Sequence, residues 1–169
     1  MAERVSEAEL IETEGGLEPA GPGWFVVNLA DARWMESEEG GHWTDFEPPD
    51  GFEHYGIGVH VLPPGKPNGK YHSETVQEDF LVLSGECILI VEDEERRLKA
   101  WDFFHCAPGT NHIIVGAGDE PCAILMAGLR GEGKKLHYPV SDVAGRYGAS
   151  TPEETDSPPV AYSDWSRDF

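Results

Sequence analysis

Tyr71-His72-Ser73-Glu74-Thr75-Val76-Gln77-Glu78-Asp79-Phe80, completed by His112, is the stretch that decides how this chain is read. A run of turn formers (Pro63, Pro64, Gly65, Pro67, Gly69) precedes it, and the apolar segment Phe80-Leu81-Val82-Leu83 continues it. Alternate residues of a strand project to one face, so His72, Glu74 and, past a small kink, Glu78 can share a face with Phe80 and Val82. Imidazole and carboxylate are the groups that hold divalent transition metals, and a few of them converging on one point make a site. Histidine and glutamate at a strand start more often face solvent, so this stretch needs support from elsewhere in the chain.

The support comes from spacing. Six residues after Glu78 stands Gly85, a turn leading into Cys87-Ile88-Leu89-Ile90-Val91, and the acidic turn Glu92-Asp93-Glu94-Glu95 and Arg96-Arg97-Leu98 follow. Next comes Trp101-Asp102-Phe103-Phe104-His105-Cys106-Ala107-Pro108-Gly109-Thr110-Asn111-His112, which runs into the strand Ile113-Ile114-Val115. From about residue 55 to 128 the chain resembles the cupin family, whose two motifs read G-x5-H-x-H-x3,4-E-x6-G and G-x5-P-x-G-x2-H-x3-N. His72, Glu78 and Gly85 match the first motif, and Gly109 and His112 the second. Glu74 stands where the family has its second histidine, Gly65 lies one residue early, and Trp101, Ala107 and Gly116 replace the usual Gly, Pro and Asn. Pro108-Gly109 keeps the turn chemistry, since proline presets φ and glycine admits φ > 0. The resemblance implies an all-β fold, an antiparallel jelly-roll β-barrel with the motif residues holding a metal inside it.

Chain length, at 169 residues, fits one domain with a sizeable core. No apolar run reaches membrane-spanning length, and Met1-Ala2-Glu3-Arg4 shows no apolar leader, so a cytoplasmic protein without a membrane partner is expected. Cys87, Cys106 and Cys122 are an odd number without C-x-x-C spacing, which fits reduced, non-catalytic thiols. With 32 acidic against 12 basic residues the formal charge is −20. That field repels phosphate backbones, so no nucleic acid partner is expected.

Three regions are expected. Residues 1–23 form an acidic arm, in which Ser6 and Glu9 fit a capping box opening two helical turns through Ala8, Leu10 and Ile11, ended by Gly15-Gly16. Residues 24–129 form the barrel, with strands at Trp24-Phe25-Val26-Val27-Asn28-Leu29, at His54–Leu62 and at Cys122–Ala127. On the His54–Leu62 strand, Gly56 and Gly58 leave room for a ligand, and His60 shares their face. Trp34, Trp43 and Phe46 can line a pocket, but large aromatics more often fill cores. Residues 130–169 form a tail with a short helix capped at Ser141 or Asp142 and ended by Gly148. Its Tyr162, Trp165 and Phe169 should dock on the barrel or on a partner subunit, and a homodimer is expected because barrel sheets leave edges to cover.

The candidate metal ligands are His72, Glu74, Glu78 and His112, for Fe, Mn, Zn or Ni. Glu74 is open between a fourth ligand, a catalytic general base and an outward surface carboxylate. Tyr71 and Gln77 are candidate pocket-edge hydrogen bonders. The expected function is a metalloenzyme on a small-molecule substrate, of oxygenase or isomerase/lyase type. The alternative is a barrel that binds or senses a small ligand without turnover.

Overall fold

A computed structural model describes residues 4–166. In chain order its strands are β1 (Leu10–Thr13), β2 (Gly16–Pro19), β3 (Met35–Ser37), β4 (Gly41–Thr44), β5 (Tyr55–Leu62), β6 (Ser73–Glu74), β7 (Glu78–Ser84) and β8 (Glu86–Val91). They continue with β9 (Glu94–Lys99), β10 (Phe103–Cys106), β11 (His112–Ala117), β12 (Cys122–Leu129) and β13 (Leu136–His137), and two single-turn helices follow, α1 (Asp142–Gly145) and α2 (Pro158–Ala161). The fold is all-β. A six-stranded sheet, β10-β7-β12-β5-β4-β3, faces a three-stranded sheet, β11-β8-β9, and all pairings are antiparallel. The two sheets form an open barrel that does not close.

The core lies between the sheets. Leu62, Phe80, Val82, Cys87, Leu89, Cys106, Ile114, Cys122 and Ile124 form one buried cluster from β5, β7, β8, β10, β11 and β12. Strand alternation puts Ile90, Ile113 and Val115 on the opposite face of the small sheet, where Ala144 and Ala149 of the tail cover them. Both faces of β8 and β11 are therefore buried, which is why they read as unbroken apolar runs. Gly85 turns β7 into β8 at φ +72, and a Cβ there would lie 2.9 Å from Cys122 Cα. Only glycine suits that turn.

Several sequence expectations are corrected. The N-terminal arm holds the hairpin β1–β2 rather than two helical turns, because Glu14-Gly15 makes a tight turn between the paired Thr13 and Gly16. Trp24–Leu29 is no strand: one bridge from Glu7 to Trp24 is its sole ladder contact among the described residues, and Trp24 and Val26 are exposed. The acidic turn narrows to Glu92-Asp93 with φ 48 and 59, and Glu94 and Glu95 already belong to β9. Unpredicted elements include β3, β4, β9, β10 and α2.

In the tail, Ser141 caps α1, its Oγ accepting from Ala144 N at 3.0 Å. Tyr162 and Trp165 pack on the chain's own barrel side, near Lys70. Phe169 lies outside the described residues.

Candidate metal centre

His72 and His112 start from neighbouring backbone. Each amide donates to the other's carbonyl, at 3.2 Å from His72 N and 2.8 Å from His112 N. Their ring centroids are 4.9 Å apart. Glu78 opens β7 on the face that continues into Phe80 and Val82, both buried in the core, so packing aims its side chain inward. Gly128 on β12 lies directly opposite, and a Cβ there would sit 3.4 Å from Glu78 Cγ. One ligand atom from each of His72, Glu78 and His112 lies within 4.8 Å of the others.

Hydrogen bonding fixes which nitrogens face the centre. His72 Nδ1 lies 2.7 Å from Lys70 O, and His112 Nδ1 lies 3.1 Å from Thr110 O. A carbonyl only accepts, so each Nδ1 carries a proton and each Nε2 keeps its lone pair. His112 Nε2 faces Glu78 Oε2 at 3.5 Å, and that oxygen is buried without a hydrogen-bond partner. Desolvation pushes the His72 and His112 pKa values down to about 4. Desolvation, reinforced by the charge of Glu74, pushes Glu78 up to about 8. Neutral imidazoles give Glu78 no ion pair. Converging lone pairs beside an unpartnered carboxylate suit a proton or a cation, so the three residues fit a divalent metal.

Glu74 stands apart. Its side chain is 5% exposed, so it is no outward surface carboxylate. Its Oε1 lies 3.8 Å from His72 Nε2, while Oε2 pairs with Lys134 Nζ at 2.6 Å. Behind the imidazoles, Cys106 Sγ lies 3.3 Å from His112 Nδ1, and burial pushes its thiol up to about 12, which keeps it protonated and unreactive. Tyr71, expected at the pocket edge, turns the other way: it is buried in the outer cluster and its hydroxyl accepts from Asp93 N. Gln77, just before β7, donates to Asp79 of that strand at 2.6 Å.

Glu78 also lines a cavity of about 410 Å³ whose walls include Trp43, His60, Gly128, Arg130 and Lys134. Gly56 and Gly58 line it too, where the sequence left room. The Trp43 and His60 rings stack at 6.3 Å, which puts Trp43 in a pocket wall. Arg130 Nη2 holds Glu47 at 2.6 and 2.7 Å. Arg130, Lys134 and Glu47 were missed in the sequence. The one signal for Arg130 and Lys134 is that basic residues are scarce in so acidic a chain, and Glu47 has none. A larger cavity of about 780 Å³ runs along the N-terminal hairpin, among Glu18, Arg33 and Trp34, and shares Asp45, Glu47 and Arg130 with the smaller one.

Residues 58–128 match the family model described as a cupin domain, and this interval holds His72, Glu78 and His112. No curated protein matches the chain. Among solved structures the chain is similar to a protein from Acidithiobacillus ferrooxidans described as a candidate sugar phosphate isomerase, at 27% identity and a TM-score of 0.52. That likeness covers 58% of this chain and 65% of the other, slightly under two thirds of its length. A sugar phosphate isomerase of the cupin superfamily from Silicibacter pomeroyi shows 19% identity and a TM-score of 0.59 over 69% of this chain and 82% of its own. A polyketide cyclase from Streptomyces resistomycificus shows 17% identity and a TM-score of 0.55 over 63% and 79%. The latter two establish the shared fold. No helix among the described residues is long and apolar enough to cross a membrane.

Proposed function

We propose that this chain, with a cupin domain at its centre, is a metal-dependent enzyme that moves protons on a small oxygenated substrate, as an isomerase or lyase does. The observation that carries the proposal is Glu78 Oε2, buried without a hydrogen-bond partner and facing His112 Nε2. His72, Glu78 and His112 would hold one divalent ion among Fe, Mn, Zn and Ni. A bound ion would supply Lewis acidity toward a substrate oxygen.

The remaining work falls to this chain's own side chains. Glu74, paired with Lys134 beside His72, would take or return a substrate proton. Trp43 and His60 supply a flat wall, and Arg130 at the cavity edge, with Nη2 held by Glu47, would offer its remaining guanidinium N–H groups to a carboxylate or phosphate. The likeness to the Acidithiobacillus protein supports a phosphorylated sugar as the first substrate class to try.

The test is exchange of substrate carbon-bound protons with D₂O, followed by NMR for metal-loaded protein and a panel of sugar phosphates. The native protein should catalyse exchange, and Glu74→Gln should keep its metal yet lose exchange by at least about 100-fold, the scale of losing a general base. Equal exchange in Glu74→Gln would remove Glu74 from the chemistry. Metal-dependent ligand binding without any exchange would instead identify a non-catalytic binding barrel.

A further inference from the structure

Two residues before His72 sits Lys70, whose surface is 0% exposed. Lysine is almost never fully buried unless paired. Its Nζ donates to Gly148 O at 3.2 Å and Ser150 O at 2.9 Å, and it pairs with Asp164 Oδ1 at 2.7 Å. It also lies 5.1 Å from the Trp165 ring. Every one of these partners belongs to the C-terminal tail.

The backbone of Lys70 is committed as well. Its amide donates to the Tyr162 hydroxyl at 3.0 Å, and its carbonyl is the acceptor that fixes the His72 Nδ1 proton. The neighbours repeat the pattern. Tyr71 N donates to Ala149 O at 2.7 Å, and a Cβ on Gly69 would lie 2.8 Å from the Tyr162 hydroxyl. A chain of rings closes the circuit, from His72 to Tyr138 at 5.6 Å, to Tyr162 at 6.0 Å and to Trp165 at 5.2 Å. His112 is held differently, within β11 between the buried Ile113 and the core.

We propose that residues 157–166 are a positioning element of the metal centre, and that Lys70 transmits their docking to His72. The proposal rests on His72 being a metal ligand. Lys70 and Asp164 touch neither metal nor substrate; they act through the carbonyl that holds His72 in its Nδ1–H form, with Nε2 free.

The experiment compares the native protein with Lys70→Met, the milder Asp164→Asn and Tyr162→Phe, and His72→Ala. Co(II) is the probe ion, titrated by its visible absorption. The His72 tautomer is read separately by ¹⁵N NMR in metal-free protein, with near-UV circular dichroism to confirm folding. In the folded tail variants the His72 ring should become a tautomer mixture and Co(II) affinity should fall on the order of tenfold, as for loss of an outer-shell partner. If His72→Ala weakens Co(II) while the tail variants bind like the native protein with His72 still Nδ1–H, the positioning role is wrong. If His72→Ala leaves Co(II) binding unchanged, the metal centre itself is misassigned, whereas the tautomer measurement still decides whether the tail orients His72.

Discussion

At the scale of single residues, the centre sets its own pH dependence. The folded pKa of Glu78, about 8, lies above its ordinary 4.5, so the folded metal-free protein holds a proton there that the unfolded chain releases. That contribution is complete below about pH 4.5 and is lost as pH rises toward 8. His72 and His112 act in the opposite sense. Their folded values near 4 lie below the ordinary 6.5, so their contribution is complete above about pH 6.5 and is lost as pH falls toward 4. Metal-free protein should therefore lose melting temperature between pH 6.5 and 8.5, and Glu78→Gln should flatten that loss. Thermal melts of both proteins across this range check it, and parallel curves would count against a buried, unpaired Glu78. The convergence of His72, Glu78 and His112 was legible in the sequence through the motif resemblance, which runs from His72 and Glu78 to Gly85 and from Gly109 to His112. The direction of Glu74 was not, because its partner Lys134 lies sixty residues on, where no local period links them.

Among the elements, strands with a local signal were readable and those defined by distant partners were not. The β5, β8, β11 and β12 runs show dense β-branched and apolar sequence, and each forms within a residue or two of its expected bounds. Ser6 and Glu9 match a capping pattern that predicts a helix where the β1–β2 hairpin stands, but its strands are held by backbone pairing and a bridge from Leu17 to Ala32. Trp24–Leu29 had strand composition without a neighbouring strand to pair with, and composition alone does not satisfy a ladder. The doubly buried faces of β8 and β11 make a specific claim about stability. Ile90 is wholly buried against β11 and the tail, so Ile90→Ala should cost about 2–5 kcal/mol in chemical denaturation. A cost under roughly 1 kcal/mol, the scale of a surface change, would mean the tail does not cover this face.

Across the whole molecule, a charge of −20 surrounds one small cavity that gathers Arg130 and Lys134, and the tail wraps back to touch the residues before His72. One edge of the large sheet is β10, paired with β7 alone among the described strands; its first residue Phe103 is 63% exposed and Trp101 just before it 76%. An open edge flanked by aromatics suits a second copy of the chain, so light scattering should give about twice 18.6 kDa at micromolar concentration; a monomer mass would contradict this. The metal centre is tested most directly by metal content. Protein purified without a histidine tag and assayed by mass spectrometry should carry about one divalent transition metal per chain, and Glu78→Gln, His72→Ala and His112→Ala should each lower occupancy at least roughly tenfold. Metal-free native protein that takes up no ion on titration, or Glu78→Gln retaining the full metal content, would contradict a His72–Glu78–His112 centre.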